Sequence, residues 1–300
     1  MSRMEIGPAR CVVPAGDRCG EGALWSASEK AVYWTDINRF LVHRWRSEDG
    51  AVHSWLFDEP VVALSLTDRD NEMLVAVASR LLVWNPSTDE RRPQGFVLDG
   101  SPEVRLNDGR SDPNGRFWVG SMRNNVGPNG EVLPAGGSDG LLFRVGRDGA
   151  SRIFREGVGV SNTLCWSPDR TRFYFADTLA DVIWVHAYDD HSGTIGAPGV
   201  LLEGFGRGGP DGSTIDSEGY LWNCRFGGGC IVRIAPDGTV DRVIETPVTN
   251  PTTCAFGGDG LSTLFFTSAG VLSPESERLA GSLFAMETSV TGLPENRVTL

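Results

Sequence analysis

Four side chains that carry a carboxylate or a carboxamide occupy the same position in an internal repeat of this chain. Each copy of the repeat is a polar turn followed by a short aromatic and β-branched run, most clearly SDPNGRFWVGSM (111–122), WSPDRTRFYFADT (166–178) and IDSEGYLWNCRF (215–226). Five residues before the start of each turn, the six copies have Glu21, Val62, Asn107, Asn162, Asp211 and Thr252. Glu21, Asn162 and Asp211 offer two carboxylates and one amide oxygen, a donor set that suits a hard divalent cation.

The spacing of the repeat predicts the elements that must position these side chains. Successive positions lie about 41 to 55 residues apart, close to the length of a four-stranded propeller blade. No segment has sustained apolar residues at helical spacing. The sequence therefore predicts an all-β fold, a six-bladed β-propeller with an axial metal site, formed by a single domain over residues 1–300. We expect an N-terminal strand in ARCVVPAG (9–16) to complete the last blade.

The charge and composition of the chain limit the classes of molecule that it is expected to bind. A formal net charge of −12, a pI near 4.8 and no basic run argue against nucleic acid. The N-terminal residues have no apolar signal-peptide core, and no apolar segment approaches a membrane span. We therefore expect a cytoplasmic protein with no membrane partner, as a monomer or a weak homodimer. The six cysteines form no CxxC pair, which predicts free thiols.

Two further features belong to the predicted site. Arg105 lies two residues before Asn107, on the same side of a strand, where its guanidinium could bind a carboxylate or vicinal hydroxyls, or could equally pair with a loop carboxylate. The Gly/Pro/Asn-rich segment 123–140 is too long for a hairpin turn and could form a lid. A serine-hydrolase elbow and a phosphate-binding loop are not supported, because the sequence has no G-x-S-x-G and its GFGRGGPDG run (204–212) has no lysine.

The phrases around these residues closely resemble the SMP-30/gluconolactonase/LRE-like family. They are GEGALW, RLNDGRSDPNGRFWVGSM, SNTLCWSPDRTRFYFADT and PDGSTIDSEGYLWNCRFGGG, with a weaker likeness through NPTTCAFGG (250–258). The resemblance implies a six-bladed propeller with one divalent metal held by Glu21, Asn162 and Asp211. It also implies that Asn107 lies near substrate or metal, and that Arg105 binds substrate. One departure concerns the residues after GSM, where family members have an acidic residue that contacts the sugar and this chain has Arg123, Asn124 and Asn125.

The resemblance implies a metal-dependent sugar lactonase, a hydrolase that converts an aldono-1,4- or 1,5-lactone, with a pentonolactone as one candidate, to its aldonic acid. Asp211 is the expected general base, with Arg105, Asn107 and Asn124 orienting sugar hydroxyls. The expected cofactor is one divalent ion, calcium first, with zinc, manganese, magnesium and iron(II) as alternatives. Two other functions stay open: a different metal-dependent esterase or phosphotriesterase on the same site, and a non-enzymatic calcium-binding propeller.

Overall fold

Six antiparallel sheets surround one axis in the computed structural model, which describes residues 4–300. The first strand of each sheet contacts the first strand of the next, and the sixth contacts the first, so that the ring is closed. This confirms the all-β, six-bladed propeller. Within the described residues, the only helical pieces are two short 3-10 turns, Ile37–Arg39 and Asp259–Leu261.

The N-terminal strand β1 (Arg10–Val13) precedes the first blade in the chain. Within each blade, the strands are named in order from the axis to the outer edge. Blade 1 comprises β2 (Gly20–Ser26), β3 (Ala31–Asp36), β4 (Leu41–Arg46) and β5 (Val52–Leu56). Blade 2 comprises β6 (Val61–Thr67), β7 (Met73–Val77), β8 (Arg80–Asn85) and β9 (Glu90–Val97). Blade 3 comprises β10 (Val104–Ser111), β11 (Phe117–Arg123), β12 (Gly140–Val145) and β13 (Ser151–Val158).

The remaining blades repeat the same order. Blade 4 comprises β14 (Ser161–Trp166), β15 (Arg172–Asp177), β16 (Val182–Asp189) and β17 (Thr194–Glu203). Blade 5 comprises β18 (Gly209–Ile215), β19 (Leu221–Phe226), β20 (Cys230–Ile234) and β21 (Val240–Glu245). Blade 6 has β22 (Pro251–Gly257), β23 (Thr263–Ser268) and β24 (Leu283–Glu287).

The ring is closed by the N-terminal strand, as the sequence predicted. β1 pairs antiparallel with β24 and is the outermost strand of blade 6, with Arg10 opposite Ala285 and Val13 opposite Leu283. The N-terminal strand and the last blade are therefore held together by backbone hydrogen bonds in one sheet, which protects the edge that an incomplete blade would expose.

Deleting residues 1–14 is expected to lower the stability of the whole ring. The deletion removes the pairing with β24 and the buried side chain of Val13. Burial of one such side chain alone contributes about 1.5 to 3 kcal/mol, so a loss of roughly 3 kcal/mol or more is expected. The midpoint of denaturant unfolding would measure it, with Arg10→Ala as a control because that exposed side chain leaves the pairing intact. An unchanged midpoint in the deletion variant would show that β1 does not close the ring.

The C-terminal segment has a position that the sequence did not predict. A short strand β25 (Arg297–Val298) lies parallel to the inner strand β6 and gives blade 2 a fifth strand. Just before it, the Asn296 amide donates to the Ser111 carbonyl at 3.0 Å. This segment thus packs against the ends of the inner strands that lie opposite the repeat positions.

The core lies between neighbouring blades. One cluster, for example, joins Leu24 and Tyr33 of blade 1 to Leu64 and Trp84 of blade 2. Tryptophans at the blade interfaces are anchored by aspartates, which accept the indole N–H of Trp34, Trp84, Trp118 and Trp222 at 2.8 to 3.1 Å. The indole N–H groups of these four buried tryptophans are thereby satisfied.

Two other predictions concern cysteines and membranes. All six cysteines are free thiols in the structure, as expected. In the described range, 4–300, no helix has the length and apolarity needed to cross a lipid bilayer.

Candidate functional site

A single cavity of about 450 Å³ brings together most of the residues predicted from the repeat. It lies where the first strands of several blades begin, and we call it the axial cavity. Glu21 of β2, Asn107 of β10, Asn162 of β14 and Asp211 of β18 all line it, together with Arg105. The four repeat positions with an oxygen donor thus converge although they are far apart in sequence.

An irregularity in strand pairing recurs at the repeat position of every blade. In all six blades the pairing between the first and second strands shifts there, for example between Glu21 and Leu24, between Asn162 and Cys165, and between Pro210 and Ser213. A bulge of this kind bends a strand and redirects its side chains. At Thr163 the backbone is left-handed, with φ of 56°, which is uncommon for a β-branched residue. The bulges explain why residues at this one position meet at the axis.

The two carboxylates of the cavity are held by hydrogen bonds on one oxygen only. Glu21 Oε2 accepts from the Gly22 N–H at 3.0 Å and from the Thr253 hydroxyl, and Asp211 Oδ1 accepts from the Gly212 N–H at 3.1 Å. Within residues 4–300, no backbone N–H and no other side chain donates to Glu21 Oε1 or Asp211 Oδ2, and the two carboxyl groups lie within hydrogen-bonding reach of each other. One oxygen of each carboxylate is therefore available to a ligand in the cavity.

The electrostatics of this carboxylate pair favour a cation. Burial raises the pKa of Glu21 to about 7. Burial also raises the pKa of Asp211 well above its usual range, and the charge of Glu21 raises it further. Two like charges that are both removed from water are costly unless a counter-charge compensates them.

A hydrogen-bond network orients the side-chain amides of Asn107 and Asn162 in the axial cavity. Asn162 donates its N–H to the Thr178 hydroxyl at 2.8 Å, which turns its Oδ1 towards Asn107, whose amide donates to it at 3.3 Å. Asn107 Oδ1 in turn accepts from Arg105 at 2.7 Å. The Arg105 Nε and Nη2 groups donate to Asn125 Oδ1 at 3.0 and 2.8 Å. Arg105 thus forms bonds to amides, and the alternative of a loop carboxylate partner is not observed among the described residues.

The donor set fits a divalent cation of the oxygen-preferring class. Glu21, Asp211 and Asn162 present two carboxylates and an amide oxygen in the axial cavity. No cluster of three or more His, Cys, Asp and Glu side chains suited to a metal occurs in the part of the chain that the structure describes. The predicted set has only two such residues, because its third member is an asparagine.

Residues 19–270 match the family model described as the SMP-30/Gluconolactonase/LRE-like region. The chain belongs to this family. Its phrases GEGALW and PDGSTIDSEGYLWNCRFGGG lie in the matched range, and so do the residues that the repeat places in the axial cavity.

Named relatives of the SMP-30/gluconolactonase/LRE-like family include several lactonases. A pentonolactonase of Haloferax volcanii is 35% identical over 95% of this chain and 96% of its own length. A 6-deoxy-6-sulfogluconolactonase of Pseudomonas putida is also 35% identical, over 95% of this chain and 97% of its own. Among solved structures, a calcium-binding protein, regucalcin, from Agrobacterium tumefaciens matches with a TM-score of 0.91 and 26% identity, over 98% of each chain.

In this member of the family, the segment 123–140 forms part of the cavity wall. Val126 and Val132 form an isolated bridge within it, and the Asn38 amide donates to the Gly130 carbonyl at 2.9 Å. Residues 132–135 line the axial cavity. The segment therefore lies at the cavity, in the place expected of a lid.

Asn124, which was expected to orient sugar hydroxyls, lies outside the axial cavity, whereas its neighbour Asn125 lies in the cavity lining. Asn124 is absent from the lining of the axial cavity, and its Oδ1 accepts from the Val126 N–H at 3.0 Å as part of a local turn. Asn125 does line the cavity and fixes Arg105. Arg123 pairs with Asp139 at the exposed surface. The run RNN gives no period that tells which asparagine points inwards, because the strand β11 ends at Arg123.

Cys19 is a cavity residue that sequence analysis did not single out for the site. Its thiol lies beside Glu21 in the cavity lining, and burial raises its pKa well above the usual range. A thiol with a raised pKa is protonated at neutral pH and is a poor nucleophile. Cys19 therefore contributes shape to the cavity.

Proposed function

We propose that this chain is a metal-dependent sugar lactonase that hydrolyses an aldono-1,4- or 1,5-lactone to its aldonic acid in the axial cavity, with residues 1–300 acting as one domain. The observation that carries the proposal is the convergence of Glu21, Asn162 and Asp211, which leaves free carboxylate oxygens in one cavity. The lactonase names of relatives that match nearly the whole chain support it.

Glu21, Asn162 and Asp211 are the residues that would hold one divalent cation. Calcium is the first choice, because the donor set is oxygen-only and the regucalcin structure is that of a calcium-binding protein. When bound, such a cation supplies a Lewis acid for the lactone carbonyl and for the negative charge that develops on its oxygen. The proposed enzyme is a cytoplasmic protein and a monomer or a weak homodimer.

Asp211 is the proposed general base. Its Oδ1, which accepts from the Gly212 N–H, would be the oxygen that holds the cation, and Oδ2 accepts a proton from the attacking water. The water oxygen bonds to the carbonyl carbon, the ring C–O bond breaks, and the departing alkoxide takes the proton back from Asp211. Arg105 and Asn107 orient the lactone, because both line the cavity and hold each other in place.

Asn125→Ala is expected to lower kcat/KM about tenfold or more, chiefly through KM. The substitution removes the oxygen that accepts two N–H groups of Arg105, and an unpaired buried donor costs about 1 to 3 kcal/mol. Asn124→Ala is the matched control, expected to change kcat/KM less than about threefold because it loses one hydrogen bond to a loop N–H. A larger effect from Asn124→Ala than from Asn125→Ala would restore Asn124 as the substrate-binding residue.

A substrate panel separates the lactonase from the two other functions. Aldono-1,4- and 1,5-lactones, paraoxon and aryl esters would be compared by kcat/KM with calcium present and spontaneous hydrolysis subtracted. The lactones should be the best substrates. Preference for the esters or paraoxon would identify a different hydrolase, and calcium binding without any hydrolysis would identify a binding protein.

A further inference from the structure

The axial cavity has a polar floor and an apolar wall. Twelve of its 21 lining residues have aliphatic, methionine, proline or phenylalanine side chains. The floor residues Arg105, Asn162 and Asp211 are 4 to 6% exposed. The apolar residues Leu133 and Leu272 are 43% and 75% exposed, and therefore lie nearer the opening. A ligand that reaches the floor must pass along this wall.

The apolar wall is assembled from separate parts of the chain. Val132 and Leu133 come from the segment after blade 3's second strand, Leu179 from the turn after β15, and Leu272 from the loop after β23. These four make up more than a third of the eleven large hydrophobic side chains that are exposed in the described residues. Exposed apolar residues scattered singly are ordinary, whereas a contiguous group at a cavity indicates a ligand-binding surface.

The cavity offers little to a negatively charged substituent. Arg105 is the one cationic side chain in its lining, and four hydrogen bonds, to Asn107, Asn125 and the Leu106 carbonyl, use most of its five N–H donors. The other charged lining residues are Glu21 and Asp211. A sulfonate, phosphate or carboxylate at the wall would lose its hydration without gaining a counter-charge.

We infer that the substrate is a neutral lactone whose substituent beyond the ring is apolar, such as a deoxy or alkyl-bearing sugar lactone. The inference rests on the proposed lactonase function and names its substrate class. Ring oxygens meet Arg105, Asn107 and the carboxylates of the floor, and the substituent packs against Leu133, Leu179 and Leu272. The wall is thus the specificity-determining part of the site.

The backbone at Leu272 supports a ligand contact. Leu272 has φ of 59°, a left-handed conformation that is uncommon for leucine, and its side chain is largely exposed. Strained positions of this kind are found at ligand-binding sites, where the contact made by the side chain compensates for its cost. Asparagine adopts the left-handed region more readily, so Leu272→Asn removes the apolar surface without penalising the fold.

The test compares 1,4-lactones that share the ring of a pentono-1,4-lactone and differ in one substituent: hydroxymethyl, methyl or butyl at C4. Each methylene group that is buried against the wall should raise kcat/KM roughly fourfold. The kcat/KM for the butyl lactone should therefore exceed that for the hydroxymethyl lactone by about tenfold or more. Leu272→Asn and Leu133→Asn should lower this ratio about fivefold or more. Leu56→Asn, at an exposed leucine on the outer strand β5, should leave it unchanged. A ratio of one or below in the wild-type protein overturns the inference.

A binding measurement keeps the inference separate from the proposed function. The corresponding lactams, which resist hydrolysis, would be titrated by calorimetry with calcium present. If no lactone is hydrolysed but the butyl lactam binds about tenfold tighter than the hydroxymethyl lactam, the lactonase proposal fails and the apolar specificity stands. Equal binding of the two lactams overturns the specificity. A dimer that Leu272→Asn dissociates without changing lactam selectivity also overturns it, because the wall would then be covered by a second copy of this chain.

Discussion

Asp211→Asn is expected to lower kcat/KM towards aldonolactones by about a thousandfold or more. The substitution keeps the shape of the side chain but removes the oxygen that accepts a proton from water, and loss of general-base catalysis alone costs about 10²- to 10⁴-fold. It also removes one of the two carboxylates that line the axial cavity. Initial rates measured by pH-stat titration, with spontaneous hydrolysis subtracted, would give the value.

The same variant should be more stable than the wild-type protein when a chelator is present. Burial and the charge of Glu21 raise the pKa of Asp211 in the folded state, so the unfolded chain gives up this proton more readily. The free energy of unfolding therefore falls as the pH rises above the ordinary pKa range of a carboxyl group. The gain in melting temperature from Asp211→Asn should accordingly be larger at pH 8 than at pH 5.

Asp108→Asn provides a charge-matched control for both measurements. Asp108 also raises the pKa of Asp211 through its charge, but it is absent from the cavity lining. This variant should keep kcat/KM within about tenfold of wild type. Comparable losses in the two variants, or normal turnover by Asp211→Asn, would remove Asp211 from the role of base.

The sequence predicted the ring and the convergence of the site because both follow from the repeat. Counting back five residues from each turn selected Glu21, Asn162 and Asp211, and the structure places a bulge at that position in each blade. A bulge has no characteristic residue composition, so the sequence does not reveal it directly. Because the same bulge occurs in every blade, the number of residues between the repeat position and the turn stays the same. The count was therefore sufficient to locate the position without any knowledge of the local backbone.

The features that the sequence did not predict depend on contacts between blades or on irregular loops. Asn125 enters the cavity because of the backbone path after β11, where the period of two no longer applies. β25 pairs with β6 across more than 200 residues of chain, and two residues of strand give too little pattern to recognise. Leu272 reaches the cavity from a loop of blade 6 whose sequence, VLSPESERLA (271–280), has no hydrophobic period and is half polar.

Removal of divalent cations with a chelator is expected to abolish lactone hydrolysis and to lower the melting temperature. In the chelated protein, Glu21 and Asp211 face each other without a counter-charge, and burial raises the pKa of both. A cation that binds only the folded state stabilises it by about 2.7 kcal/mol when its concentration is one hundred times the dissociation constant. For a chain of this size, this corresponds to a rise of about 4 °C. Calorimetric scans with calcium and with chelator would measure the difference.

Glu21→Gln distinguishes cation binding from catalysis, because Glu21 has no assigned role in proton transfer. The variant removes one negative charge from the donor set while keeping a side-chain oxygen that can accept from Gly22 and Thr253. It should lose most of the calcium-dependent rise in melting temperature and require much more calcium for activity. Glu59→Gln, which changes a carboxylate outside the axial cavity, should retain the full rise. If calcium stabilises Glu21→Gln as much as wild type, the cation binds elsewhere, and the asymmetry of the repeat, in which Val62 and Thr252 offer no carboxylate or carboxamide, requires another explanation.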